Sequence, residues 1–210
     1  VKYVAAGAIA FAVPATLLAQ MSQGGLDTPT TPPPAMGDAP ATKPADAPSA
    51  ELVESPVYAA WKGKAAGSSA SYTMTVNQFG QTMSGKMVST LKEITDSKVT
   101  LKQTVTSAMQ PQAQESEETV EAKVSADKKW QVAGDGMAWK EEGTEKITVM
   151  GKEYECTKLA MSSEQMGSKM TGTAYYTAEV PGGMVKAEIN ASTPQGDVKI
   201  SIVIDSFEVK

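Results

Sequence analysis

Arginine and histidine are absent from the chain, and cysteine occurs once in 210 residues. Each absence closes a class of chemistry. Without histidine there is no imidazole to serve as a general base near neutral pH or to ligate a metal. Ser-His-Asp and Cys-His catalysis are therefore excluded within one chain. Without arginine, the planar fork that grips phosphate or guanine in bidentate fashion is missing. A lone Cys156 leaves no intrachain disulfide and no multi-cysteine zinc site. All 19 cationic side chains are lysines, set against 24 carboxylates for a net charge of −5. That balance favours solubility and argues against a nucleic-acid partner, which calls for a basic face. Aromatic residues make up only 6% of the chain, so a sizeable core must draw its bulk elsewhere, and twelve methionines are at hand.

What is present falls into three parts. Lys2 precedes an apolar run from Tyr3 to Leu18 that ends in Leu17-Leu18-Ala19. A charged start, an apolar middle and a small residue at a cut site have the form of a secretory signal. The run is short for a membrane span and contains Pro14. Residues 1–20 thus read as a signal peptide or, if uncleaved, an N-terminal anchor and the chain's one membrane contact. Residues 21–50 carry seven of the twelve prolines among Ala, Thr, Asp and Ser. Such a stretch buries too little apolar surface to offset the entropy of ordering. It reads as a disordered linker, either a spacer or a leader without a role of its own. Together the two segments point to an exported protein of the periplasm or cell envelope.

Residues 51–210 carry the pattern of an antiparallel β domain. Val57, Tyr58 and Trp61 sit at helical spacing in a short first helix, an apolar plug for one end of a sheet. From Ser71 the period becomes two: Tyr72, Met74 and Val76 alternate with Thr73, Thr75 and Asn77. Met83, Met87 and Leu91 share a phase, as do Val99, Leu101 and Val105. Short turns at Gln78–Gln81 and Thr95–Lys98 join the runs into a meander. Gln110 to Glu118 reads as a polar loop or hairpin tip. Its carboxylates Glu115, Glu117 and Glu118 lack calcium-loop spacing, so no metal is expected. Strands flanking Gly151-Lys152 form a hairpin in which Cys156 points inward as an inert hydrophobe. Thr173–Ala178 is a strand, Glu179–Gly183 a turn, and Val185, Ala187 and Ile189 a return strand. Val198, Ile200, Ile202 and Ile204 follow in one phase, with a bulge near Asp205 bringing Phe207 and Val209 into the other.

The candidate ligand-contacting residues are aromatic: Trp61 in the plug, Trp130 and Trp139 on either side of the Gly134-Asp135-Gly136 turn, and Tyr175 and Tyr176. On a strand the two tyrosines must face opposite ways, so one at most lines a cavity. Glu153, Glu155, Glu179 and Glu188 show no spacing that fixes two carboxylates across a cleft, and no catalytic residue, metal or cofactor is expected.

The Trp61 plug followed by Gly67-Ser68, the long meander, the Gly151 to Cys156 hairpin and the run Tyr175-Tyr176-Thr177-Ala178-Glu179-Val180-Pro181-Gly182-Gly183 resemble uncharacterised exported bacterial proteins. More distantly they resemble the lipoprotein-carrier (LolA/LolB-like) superfamily. The resemblance implies a strongly curved antiparallel sheet, a half-open barrel whose apolar concave face shelters acyl chains or other hydrophobic ligands. The carriers also use a cavity arginine and covering helices; this chain has no arginine, and only residues 51–64 are available for a helix. Two functions stand side by side: a non-catalytic envelope protein that binds an apolar or lipid-like ligand, and a filled-core module that binds an envelope protein.

Overall fold

A computed structural model of the chain describes residues 51–107, 112–130, 138–165, 168–193 and 196–210. The signal segment and the linker lie outside the described residues. The first half comprises β1 (Leu52–Glu54), α1 (Pro56–Trp61), β2 (Ser69–Gln78), β3 (Gln81–Ile94), β4 (Lys98–Ser107) and β5 (Gln114–Glu121). The second comprises β6 (Lys123–Ser125), a 3-10 turn (Ala126–Lys128), β7 (Ala138–Val149), β8 (Lys152–Gln165), β9 (Ser168–Tyr176), β10 (Met184–Thr193) and β11 (Gly196–Glu208).

Nine strands form one antiparallel sheet in the order β5-β4-β3-β2-β11-β10-β9-β8-β7, while β1 pairs with β6 apart from it. Two meanders are thus joined where the last strand pairs with β2, from Val198↔Gln78 to Glu208↔Ser69. The sheet is rolled. Three strands separate β7 from β11 in the hydrogen-bonded order, yet their Cα atoms approach within 8 Å. In a flat sheet that separation would be about 19 Å, at ~4.8 Å per strand. The roll stops short of closure, leaving β5 and β7 as edges. The result is the expected half-open barrel.

Two strand glycines mark bends. A Cβ at Gly172 would lie 2.5 Å from the Glu188 carbonyl oxygen, and one at Gly85 2.7 Å from that of Thr106. Neighbouring backbone comes so close at these points that no side chain fits.

Alternation then sorts the side chains. Tyr72, Val76, Val99, Leu101, Ala174, Tyr176, Ala187, Ile189, Ile200, Ile202 and Ile204 are buried, while threonines and charges between them face water. The Phe79-Gly80 and Met150-Gly151 turns carry positive φ at both positions (51° and 76°, 52° and 73°), the geometry of tight two-residue hairpins. The second turn lies one residue earlier than the sequence suggests. The bulge near Asp205 is present, as a register shift between Ile204 and Ser206.

Two stretches depart from expectation. Most of the polar run at 110–118 belongs to β5, from Gln114 onward, not to a loop. As an edge strand it tolerates outward carboxylates, and these meet lysines of neighbouring strands: Glu115 with Lys102 at 2.7 Å and Glu117 with Lys92 at 2.5 Å. The strand expected at Thr173–Ala178 likewise begins earlier, at Ser168, because β8 supplies its ladder partners through the preceding polar stretch, such as Met161↔Gly172 and Ser163↔Met170. In return β9 ends at Tyr176, before Thr177 and Ala178.

One end of the barrel is plugged from two directions. Ser55 accepts from the Tyr58 amide and Pro56 opens α1, which buries Val57, Tyr58, Ala60 and Trp61. Against it lies the Pro181-Gly182-Gly183 turn, with φ of 79° and 77° at its glycines. A Cβ at Gly183 would meet Ala60 Cβ at 3.2 Å and Tyr176 Cδ1 at 3.3 Å. Gly183→Ala should therefore cost about 2–3 kcal/mol, combining left-handed strain with overpacking. At exposed Gly151 a Cβ meets nothing within 4 Å. There alanine should cost only about 1–2 kcal/mol, the strain alone. Urea unfolding of the two variants checks the difference.

Candidate functional site

The rolled face is not uniform along the strands. Near the plug, Tyr72, Leu91, Val99, Leu101, Ile204 and Tyr176 are buried. Toward the opposite end, where the Phe79-Gly80 turn lies, Met74, Met83 and Met170 are only partly buried, beside the buried Val76, Ala191, Val198 and Ile200. The methionines thus divide: Met87, Met161 and Met184 fill the core, and Met74, Met83 and Met170 line its open end. Met150 is exposed on its turn, while Met109 and Met137 lie outside the described residues.

Four of the five aromatic candidates come together. Trp61 is wholly buried in α1. Trp139, on β7, packs against both the plug-end cluster around Leu91 and Leu101 and the main core. Trp130 leans on Tyr176, ring centroids 5.5 Å apart and planes at 56°, a tilted arrangement that aromatic quadrupoles favour. Its indole N–H donates to Glu141 at 3.1 Å, and Lys129 pairs with the same carboxylate at 2.8 Å. The Lys129 hydrogen bond, followed by that from Trp130, holds Glu141 below the ordinary carboxylate range. The Gly134-Asp135-Gly136 turn between the two tryptophans lies outside the described residues. Tyr175 stands apart. It pairs with Lys158 and Lys186 on the other pleat face, half-buried against the core. The opposite orientation of the two tyrosines is as alternation requires.

The polar floor beneath these rings leaves no local signal in the sequence. Gln103 is buried on β4 and donates to Glu118 of β5 at 2.7 Å. The Tyr176 hydroxyl lies within electrostatic reach of Tyr72 and Glu118. Burial raises both tyrosine hydroxyls well above the ordinary range, so they remain neutral donors. Only register distinguishes Glu118 from its solvated neighbours: opposite Leu101, it faces inward.

The carboxylates weighed for catalysis do not converge. Glu153, Glu155, Glu179 and Glu188 are exposed. Three of them pair with Lys146, Lys152 and Lys186, each at 2.8 Å. A depression of about 320 Å³ is lined by Lys169, Thr171, Asn190, Ser192, Asp197 and Lys199 among others. These residues alternate with the buried ones, so it belongs to the outer face and includes none of the aromatic candidates.

No family model matches the chain, and no curated protein matches it in sequence. Among solved structures, it is similar to a Bacteroides fragilis protein described as exported with a YmcC-like fold, at 11% identity and a TM-score of 0.43, covering 69% of this chain and 97% of that one. The lipoprotein YmcC of Escherichia coli is similar at 9% identity and a TM-score of 0.26, over 63% of this chain and 85% of that one. An outer membrane lipoprotein-sorting protein domain of Vibrio parahaemolyticus is similar at 9% identity and a TM-score of 0.25, over 68% and 85%.

Cys156 is fully buried, its thiol 3.7 Å from the Tyr154 carbonyl oxygen. Burial, then the Glu179 charge, pushes its pKa from 9.0 to about 11. The folded state thus keeps a proton that the unfolded state releases. The associated stability is present below pH 9 and is lost as pH rises toward 11. Cys156→Ala should be about 1–2 kcal/mol less stable at pH 7. It should also lose less stability than the parent over that alkaline window, as followed by urea titrations at stepped pH.

Proposed function

We propose that the chain is a non-catalytic exported envelope protein that holds an apolar, lipid-like ligand at the open end of its half-barrel. The carrying observation is the burial gradient on the rolled face. Side chains seal the plug end, whereas at the other Met74, Met83 and Met170 stay partly uncovered beside the buried Val76, Ala191 and Val198. Methionine suits such a lining, because its unbranched thioether adapts to ligands of varied shape. The signal-like leader and proline-rich linker support placement in the periplasm or envelope. Solvent-facing, lysine-paired carboxylates support binding rather than catalysis.

The sealed plug end favours a second reading, a filled-core module on a spacer that binds an envelope protein. Lipid extraction and mass spectrometry of the purified chain separate the two. The ligand reading expects one lipid class retained across preparations; a ligand-free spectrum together with recovery of a protein from envelope extract favours the module. Met83→Ser should cost about 1 kcal/mol in stability. If Met83 lines the site, the same change should lower the retained lipid severalfold, read from the extract normalised to folded protein.

A further inference from the structure

The outer face of β9, β10 and β11 carries the depression of about 320 Å³, which is at the small end of the range for small-molecule sites. Two cross-strand rows build it. Thr171, Asn190 and Lys199 are ladder partners in one, and Lys169, Ser192 and Asp197 in the next. Short hydroxyl and amide side chains thus make a floor, with a lysine stem at each of two diagonal corners. The two lysines stand two strands and two residues apart, about 12 Å between Cα atoms at ~4.8 Å per strand and ~3.4 Å per residue. Both line the same hollow.

Charge pairing sets these two lysines apart. β8 to β11 carry three others, and each has a carboxylate: Lys152 meets Glu179 at 2.8 Å, Lys158 meets Glu145 at 3.3 Å and Lys186 meets Glu188 at 2.8 Å. Lys169 and Lys199 have no such partner among the described residues. Lys199 is flanked on the ladder by Asn190 and Asn77. Lys169 is flanked by Ser192 and by Glu164, which forms no ion pair with it. The carboxylate within the hollow is Asp197. Its Oδ1 accepts from Ser192 Oγ at 2.8 Å, and its Oδ2 has no partner among the described residues. The hollow therefore offers two ammonium groups without a counter-ion and one carboxylate oxygen open to a donor.

We propose that this hollow binds a small phosphomonoester whose carrier bears a hydroxyl group. The phosphate lies between Lys169 and Lys199, and the carrier's hydroxyl donates to Asp197 Oδ2. A phosphomonoester holds close to two negative charges at neutral pH, enough to engage both lysines, which bind phosphate as point charges. The Asn190 amide and the Thr171 hydroxyl supply further donors on the floor. Asp197 repels a phosphate whose carrier has nothing to donate, so it selects for the hydroxyl. The hollow is on the opposite face of the sheet from the methionines. The proposal thus goes beyond the apolar-ligand reading, and either can fail without the other.

The test is calorimetric titration of the purified full chain at low ionic strength with glycerol phosphate, propyl phosphate or glycerol. Glycerol phosphate should bind about fivefold tighter than propyl phosphate, which has the same carbon chain without hydroxyls, and added salt should weaken both. Lys169→Gln and Lys199→Gln should each weaken glycerol phosphate about fivefold. Asp197→Asn should tighten propyl phosphate and bring the two esters to within about twofold. Lys186→Gln removes a paired lysine of the same face and should change affinity by less than about twofold. All four positions are solvent-facing, so the Tm of each variant should match the parent. Equal affinity for the two esters overturns the proposal, as does an effect of Lys186→Gln as large as that of Lys169→Gln. Sedimentation with phosphatidylglycerol vesicles without binding of the free ester also overturns it, in favour of a lipid headgroup.

Discussion

The contact on which the rest of the molecule depends is the one between α1 and the Pro181–Gly183 turn. A rolled sheet has two open ends, and its apolar face can shed water only if one is stoppered. Here a six-residue helix is too short to do so alone. It succeeds because the turn approaches it with no side chain at Gly182 or Gly183, so that Ala60, Trp61, Tyr72 and Tyr176 close around bare backbone. Val180 and Val185, on either side of the turn, are sealed in the same step. Residues more than a hundred positions apart are thereby fixed to one another, and with them the register of β9 against β10.

With one end stoppered, the burial gradient follows. Bulk at the plug is aromatic and branched aliphatic, and shape there is fixed. Bulk at the other end includes Met74, Met83 and Met170, which fill space without insisting on a shape, beside Val76, Val198 and Ile200. A chain poor in aromatics spends four of its nine Trp and Tyr residues, Tyr58, Trp61, Tyr72 and Tyr176, at the plug. That allocation leaves a rigid end and an adaptable one within a single continuous sheet.

Much of the fold was legible in the sequence because period-two alternation and tight-turn residues are local signals. The Thr-rich strands, the hairpin at Phe79-Gly80, the bulge at Asp205 and the inward Cys156 all followed from neighbouring residues. The opposite facing of Tyr175 and Tyr176 needed only the pleat. Less legible were features that depend on partners distant in the chain. The carboxylates of β5 resemble a loop until Lys92 and Lys102 are seen alongside. The convergence of Trp61, Trp130, Trp139 and Tyr176 requires the roll, which no window of sequence contains. Glu118 sits in an acidic run like any solvated residue, and its inward aim is a matter of register against Leu101.

The pairing of β11 with β2 has a consequence for the order of events as the chain is made. The final strand is not an edge added to a finished sheet but the seam between its two meanders. Until it emerges, β2 presents an unpaired edge, and the buried row from Val198 to Ile204 has no counterpart against Tyr72 and Val76. The pairs joining these strands span most of the domain, and contacts so distant in sequence form late and slowly. The two halves therefore cannot commit to a shared core during synthesis. The nascent chain remains open until its last strand is complete, and losing that strand would leave two sheets, each with a bare apolar margin.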